Sequence, residues 1–329
     1  MPAARGAPFP ASFRRGGGAR QQRATDHVNQ QGFLITDTFS FGTSQVPDVV
    51  FGCSIDIMEK DLAGASGFAG FSRGALSLVS QLDISSFTYF IAPLDEPAGE
   101  SFVSWSWGAD DGLDNAGAQM STAGGSTPLQ AAKENQNPDL YYVKLTGVMV
   151  DGQLLTSIPA GTFDVQADGS GGVFLSTTLH VTYLEVAGYR ALRRELVSRF
   201  RSEGMAPVNV AGDLGHLCFL TEDFTSAKVP RIALVFDGDA AMELNVENYF
   251  LAVTGGQTCL TILPSRFGSV LGVLLQTGRN MTYDIHGGQL KFQATTAMVS
   301  AGAPAPKPVS LMITATLLVL LLFGPRSPF

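Results

Sequence analysis

Ala167 to Leu184 reads ADGSGGVFLSTTLHVTYL, and the reading of this stretch decides the fold. A Gly-rich turn, Asp168 to Gly172, feeds the apolar run Val173 to Leu175. Three small hydroxyl residues follow, Ser176-Thr177-Thr178, and a second β-rich run closes on Tyr183 and Leu184. Apolar strand, small polar turn, apolar strand is how β-proteins hold a short loop at the floor of a cleft.

The totals agree with a strand-and-turn protein. At 329 residues the chain can bury one large core or two lobes. It is 45% hydrophobic and 15% charged, with 37 Gly and 17 Pro, which excludes wholesale disorder and disfavours a helical bundle. The net charge of −8 leaves no basic body to hold nucleic acid. Three cysteines, Cys53, Cys218 and Cys259, are an odd number for a secreted fold.

Outward from the central stretch the β pattern continues in both directions. Gly32 to Gly42 alternates aromatic or branched residues with polar ones, and Val46 to Cys53 reads as a turn and then a buried strand. Ala75 to Leu82 reads as a short helix with Leu78, Val79 and Leu82 on one face. The glycines before it have the wrong spacing for a nucleotide loop, and no Lys-Ser/Thr follows. Tyr141 to Val150 alternates as a strand and ends on Asp151-Gly152, a hairpin-turn dipeptide. Glu185 to Glu203 is the best helix in the chain: Tyr189, Leu192, Leu196 and Phe200 form its apolar face. Arg190, Arg193, Arg194, Arg199 and Arg201 are expected on its solvated outer face, and Gly204 ends it. Strands are expected at Ile232 to Phe236, around Cys259 to Ser265, at Gly268 to Gly272, and from Tyr283 to Phe292. Asn280-Met281-Thr282 fits the glycosylation rule but falls inside a strand. Val309 to Phe323 is an apolar run following the Pro/Ala stretch Ala301 to Pro308, shorter than a comfortable bilayer span, and membrane association through it is expected. A short tail anchor, a GPI signal with its attachment site at Ser300-Ala301-Gly302, and leftover sequence are three open readings.

In their order these segments resemble the pepsin-like aspartic peptidases, in particular the plant nepenthesin-type branch. The resemblance rests on Gly32 to Gly42, Val46 to Cys53, Gly67 to Leu82 and Phe87 to Phe90, and on a Ser126 to Leu129 turn. It continues through Gly171-Gly172-Val173 and Thr182-Tyr183-Leu184 to the strands ending at Phe292. Laid on without a gap, the catalytic aspartate of the second DSG falls on Ser176, its Ser on Thr177 and its Gly on Thr178. The resemblance implies an all-β, two-lobed pepsin-like acid protease fold with an incomplete N-terminal lobe and a few short helices. It implies a partial first lobe over 32–138 and a second lobe over 139–298; composition adds a disordered Arg/Gly-rich leader over 1–31, a Pro/Ala linker over 299–308 and a hydrophobic tail over 309–323. The resemblance also implies a disulfide between Cys218 and Cys259, with Cys53 left as a buried thiol without a partner. Phe90 stands where the family usually has a cysteine.

A peptidase of this kind activates water between two aspartates close enough to share one proton, so that one acts as base and the other as acid. The sequence holds no such D-T/S-G-S/T turn. Asp37-Thr38-Phe39-Ser40 and Asp168-Gly169-Ser170 are decoys, and no counterpart of the first DTGS or of the flap tyrosine lies in residues 1–31. A hydroxyl cannot replace the carboxylate as a base near neutral or acid pH. Ser176 with His180 makes no triad, because no GxSxG turn surrounds the serine, and His180 is expected to pack the loop. Asp110, Asp111 and Asp114 form a solvated loop, and His27, His216 and His286 have no metal-ligand spacing. No cofactor or metal is expected.

The leading expectation is therefore a non-catalytic relative of plant aspartic peptidases, a monomer holding a peptide or protein in a residual cleft. Two alternatives stand beside it: an aspartic-type endopeptidase of which this chain is a shortened version, and a membrane-tethered peptide-binding or inhibitory protein. The family is secreted or vacuolar, and the sequence shows no signal peptide.

Overall fold

The computed structural model describes residues 7–9, 31–56, 67–94, 99–107, 124–208 and 215–294. Asp110, Asp111, Asp114, His27 and the run Val309 to Phe323 lie outside the described residues. Contacts divide the described residues into two compact units, one ending at Ile84 and the other beginning at Ser85. This is a partition of contacts and not of lobes, because strands on both sides of residue 138 share one sheet.

In the first unit, the strands Gln31–Phe41 and Ser44–Asp56 form a long antiparallel hairpin, with Ala7–Phe9 on the outer side of the first. The turn expected at Val46-Pro47-Asp48 is instead part of the second strand: Asp48 has φ 61°, and the register shifts opposite it. Only Val49 of the expected buried strand is deeply buried, at 3% exposure, and Cys53 is free and exposed. The buried-thiol expectation fails because one face of this hairpin has no apolar layer over Cys53 among the described residues. The expected helix shortens to Leu78–Gln81, with the Ser77 hydroxyl accepting from the Ser80 amide at 3.1 Å. Leu78, Val79 and Leu82 are buried as the spacing predicts. Gln81 takes the place of a further strand: its side chain accepts from the Val50 amide at 2.8 Å and donates to the Val50 carbonyl at 2.9 Å.

The second unit is built on a ten-stranded sheet. Its order is Ile262–Ser265, Thr182–Glu185, Ser269–Leu271, Val173–Leu175, Tyr142–Val143, Gly124–Gln130, Gln289–Ala294, Arg279–Asp284, Ile84–Phe90 and Phe102–Trp107. Ser126 to Leu129, expected as a turn, is a strand, because Gln289–Ala294 and Tyr142–Val143 pair with it on both sides. Asn280 sits between two neighbours in the same sheet, so its side chain is not presented as a glycosylation acceptor needs. Leu145–Val150, Ile232–Phe236, Ala241–Leu244 and Gln153–Leu154 make a four-stranded sheet. Its hairpin turn has φ 49° at Asp151 and 76° at Gly152, the left-handed pair that a two-residue turn needs. The Asp151 carboxylate also accepts from the Arg231 amide at 3.0 Å and from Arg199 at 3.1 Å, which ties this turn to the long helix.

That helix runs Val186–Ser202, with the Glu185 carboxylate accepting from the Ala187 amide at 2.6 Å. Tyr189, Leu192, Leu196 and Phe200 are wholly buried, as the periodicity predicts. Phe200 enters an aromatic cluster with Phe219, Phe224 and Phe250, its ring 4.4 Å from that of Phe219 and 5.8 Å from the other two. Beside the cluster, Cys218 and Cys259 are direct antiparallel partners and form a disulfide. The outer face departs from expectation at one arginine: Arg193 is only 8% exposed.

Candidate active-site loop and the family it defines

The geometry of the central stretch follows from its glycines. Gly169, Gly171 and Gly172 have φ between 74° and 83°, in the left-handed region that residues with a Cβ avoid. Asp168 steadies the turn by accepting from the Ser170 amide at 2.9 Å and the Ser170 hydroxyl at 2.6 Å, and these bonds hold its carboxyl below the usual range. Asp168 is thereby committed to its own turn. Asp37, the other decoy, accepts from the Thr38 amide at 2.7 Å on the exposed hairpin of the first unit.

From the turn, Val173–Leu175 runs parallel to Ser269–Leu271, in register Val173 with Ser269 and Leu175 with Leu271. The Ser176 amide continues this ladder, donating to the Leu271 carbonyl at 3.0 Å. The loop then crosses the end of Ser269–Leu271: the amides of Val273 and Leu274 donate to the carbonyls of Leu179 and His180 at 2.8 and 3.1 Å. At the crossing, Gly272 passes so close that a Cβ there would lie 2.2 Å from the Val181 carbonyl oxygen. Gly272→Ala must push two backbones apart, and we expect it to destabilise by about 3 kcal/mol, at the upper end of overpacking costs. A urea melt measures this, and an unchanged midpoint would show that the crossing yields freely.

At the tip, the Ser176 hydroxyl accepts from the amides of Thr178 and Leu179, both at 3.3 Å, and shares a 3.0 Å hydrogen bond with the Thr178 hydroxyl. The loop thus aims two amide donors at the Ser176 side chain. Ser176 is half-buried, and Thr177 and Thr178 are exposed. The hydroxyl's partners lie within its own loop, and none of them is His180. His180 is half-buried, and burial lowers its pKa by disfavouring the imidazolium. The unfolded chain therefore binds this proton more readily, so stability is full above the ordinary histidine value and falls as pH drops below about 6.5. His180→Gln should flatten the stability-against-pH slope in that window, as read by thermal melts at stepped pH. An unaltered slope would remove His180 from the account.

A second group, absent from the sequence reading, fixes the loop from beneath. The Gln276 side-chain amide donates to the carbonyls of Ser176 at 3.1 Å, Leu271 at 2.9 Å and Gly272 at 3.2 Å. The Tyr89 hydroxyl donates to the Gln276 carbonyl oxygen, and the Tyr283 hydroxyl lies 3.4 Å from that of Tyr89. Burial raises the pKa of both tyrosines, so both remain neutral donors. Asn248, itself buried, holds the helix that carries Gln276 through the Leu274 carbonyl at 2.9 Å. The signal was available: a glutamine closing the apolar run Val273-Leu274-Leu275 must find partners if it is buried. Among the described residues no group of three or more His, Cys, Asp and Glu side chains could hold a metal, and His216 and His286 lie exposed.

The mainly β fold and the small polar loop crossing a neighbouring strand agree with the pepsin-like class that the resemblance implies. Comparison supports the class and narrows it. The family described as "Xylanase inhibitor C-terminal" matches residues 140–294, and "Xylanase inhibitor N-terminal" matches 14–104. "Aspartic proteinase nepenthesin-1" of Nepenthes gracilis is 29% identical over 261 residues, covering 79% of this chain and 56% of that protein. "Aspartic proteinase nepenthesin-2" of the same plant is 29% identical over 273 residues, covering 82% and 59%. Among solved structures, edgp superposes with a TM-score of 0.62 at 17% identity, over 87% of this chain and 79% of that one. Basic 7S globulin from soybean gives 0.58 at 19%, over 82% and 69%. The chain belongs to the plant nepenthesin-type branch of the pepsin-like aspartic peptidase family, with the all-β pepsin-like fold. It spans a little under three fifths of the length of the two nepenthesins.

Proposed function

We propose that this chain is a non-catalytic member of the aspartic-peptidase family that binds a peptide or protein where its relatives would cut one. A single observation carries the reading: the loop that should present an aspartate presents the Ser176 hydroxyl, already engaged by the amides of Thr178 and Leu179. An alcohol cannot share a proton with a carboxylate in the way that splits a pair into acid and base. The loss is independent of any residues preceding this chain, since a first aspartate from elsewhere would still face a serine. The matching families are described as xylanase inhibitors, which favours a binding and inhibitory role on this fold over hydrolysis. Purified chain incubated with an unfolded protein at acid pH should yield no pepstatin-sensitive fragments. Fragments that pepstatin suppresses would overturn the reading in favour of a working endopeptidase.

Membrane association through Val309 to Phe323 belongs to the same proposal as a tether. No helix among the described residues is long and apolar enough to cross a membrane, and the run itself lies outside them. Detergent partitioning of the full chain against one ended at Gly302 tests it, and equal behaviour removes the tether.

A further inference from the structure

The helix Val186–Ser202 carries five arginines, and the fold accounts for only some of them. Arg199 is spent on Glu195 at 2.7 Å and Asp151 at 3.1 Å. Arg201 lies in the last turn, where a cation complements the helix dipole. That effect fades within one turn of the end, so it does not explain Arg193 and Arg194. Arg193 is 8% exposed, and its guanidinium approaches the Tyr189 hydroxyl. Its Nε is buried with no hydrogen-bond partner among the described residues. A buried N–H on a cation without an acceptor costs free energy, and native folds rarely leave one so. Together with Arg194, Val197, Ser198, Arg201 and Ser202, this arginine lines a groove of about 660 Å³. The groove is basic on a protein whose net charge is −8.

We propose that this groove binds a ligand bearing two or more phosphate or sulfate groups, with Arg193, Arg194 and Arg201 as its cationic contacts. The planar guanidinium fork matches the oxygens of such groups in paired hydrogen bonds. Arg194 and Arg201 are seven residues apart, roughly 10 Å along the helix axis, too far for one tetrahedral anion to bridge. Ser198 adds a hydroxyl on the same groove, whereas the Ser202 hydroxyl already donates to the Ser198 carbonyl at 3.1 Å. The negative end of the helix dipole opposes an anion here, so the arginines must outweigh it, and binding should weaken steeply with salt.

Calorimetric titration of the full chain with inorganic tripolyphosphate and, separately, with a sulfated disaccharide tests this at low ionic strength. Saturable binding of at least one probe is expected, and the probe that binds tells phosphate from sulfate. The exposed pair of changes Arg194→Gln and Arg201→Gln should weaken it about fivefold, whereas Arg266→Gln, at the other end of the helix, should not. Arg193→Gln reports on the buried contact, and the exposed pair keeps the test meaningful if that variant fails to fold. No binding of either probe, or an equal loss in Arg266→Gln, or no loss in the Arg194/Arg201 variant, would each overturn the proposal.

Discussion

Phe200→Ala should lower the unfolding free energy by about 4 kcal/mol, within the range for truncating a buried phenylalanine. The ring is wholly buried at the C-terminal end of the long helix, against Phe219, Phe224 and Phe250. These come from a strand, a short helix and a further strand, so one truncation opens a void that three elements would have to close. Such a site collapses poorly, which puts the cost toward the high side. Phe200→Leu should recover part of the loss, because it returns volume without ring geometry. Equilibrium denaturation measures both, and a loss below about 1 kcal/mol for the alanine change would mean the cluster is not a packed core.

Removing the disulfide by Cys218→Ala with Cys259→Ala should cost about 4 kcal/mol, the chain-entropy value for a loop of this length. The two residues are 41 apart in sequence and directly opposed across the strands Cys218–Leu220 and Gln257–Leu260. Cys218 precedes Phe219, and Phe250 pairs with Leu260 one residue beyond Cys259, so the bridge and the aromatic cluster brace the same corner. Combining this change with Phe200→Ala should therefore give less than the sum, since either alone already loosens the shared strands. Additive losses would show that bridge and cluster act independently. A melt unaffected by reductant would contradict the stabilising role outright.

How much was legible in the sequence depended on whether a residue's role was local. The Gly-rich turn, the apolar face of the long helix and the Asp151-Gly152 hairpin answer to backbone conformation or periodicity, and the structure has all three. The Cys218–Cys259 bridge was legible only through the family resemblance, since three cysteines alone leave the pairing open. What escaped was set by distant partners. Ser126 to Leu129 carries a proline and two hydroxyl residues and reads as a turn, yet pairing on both flanks makes it a strand. Arg193 reads as solvated because four of its neighbours on the helix are arginines, but the packing over Tyr189 buries it. Gln276, which holds the Ser176 loop, is a hundred residues away from it in sequence. The loop around Ser176 was legible because apolar β-rich runs flank it, and the structure has strands there, Val173–Leu175 and Thr182–Glu185.

Everything functional turns on that tip. The most direct measurement is mass-spectrometric detection of new peptide ends after prolonged incubation of the full chain with an unfolded substrate at acid pH. Wild type, Ser176→Ala and a pepstatin-treated sample would be run side by side. The account predicts identical traces in all three, any residual cleavage being indifferent both to the inhibitor and to the serine. New ends that vanish with pepstatin and also vanish in Ser176→Ala would contradict it, because Ser176 would then be working in a site it should be unable to serve.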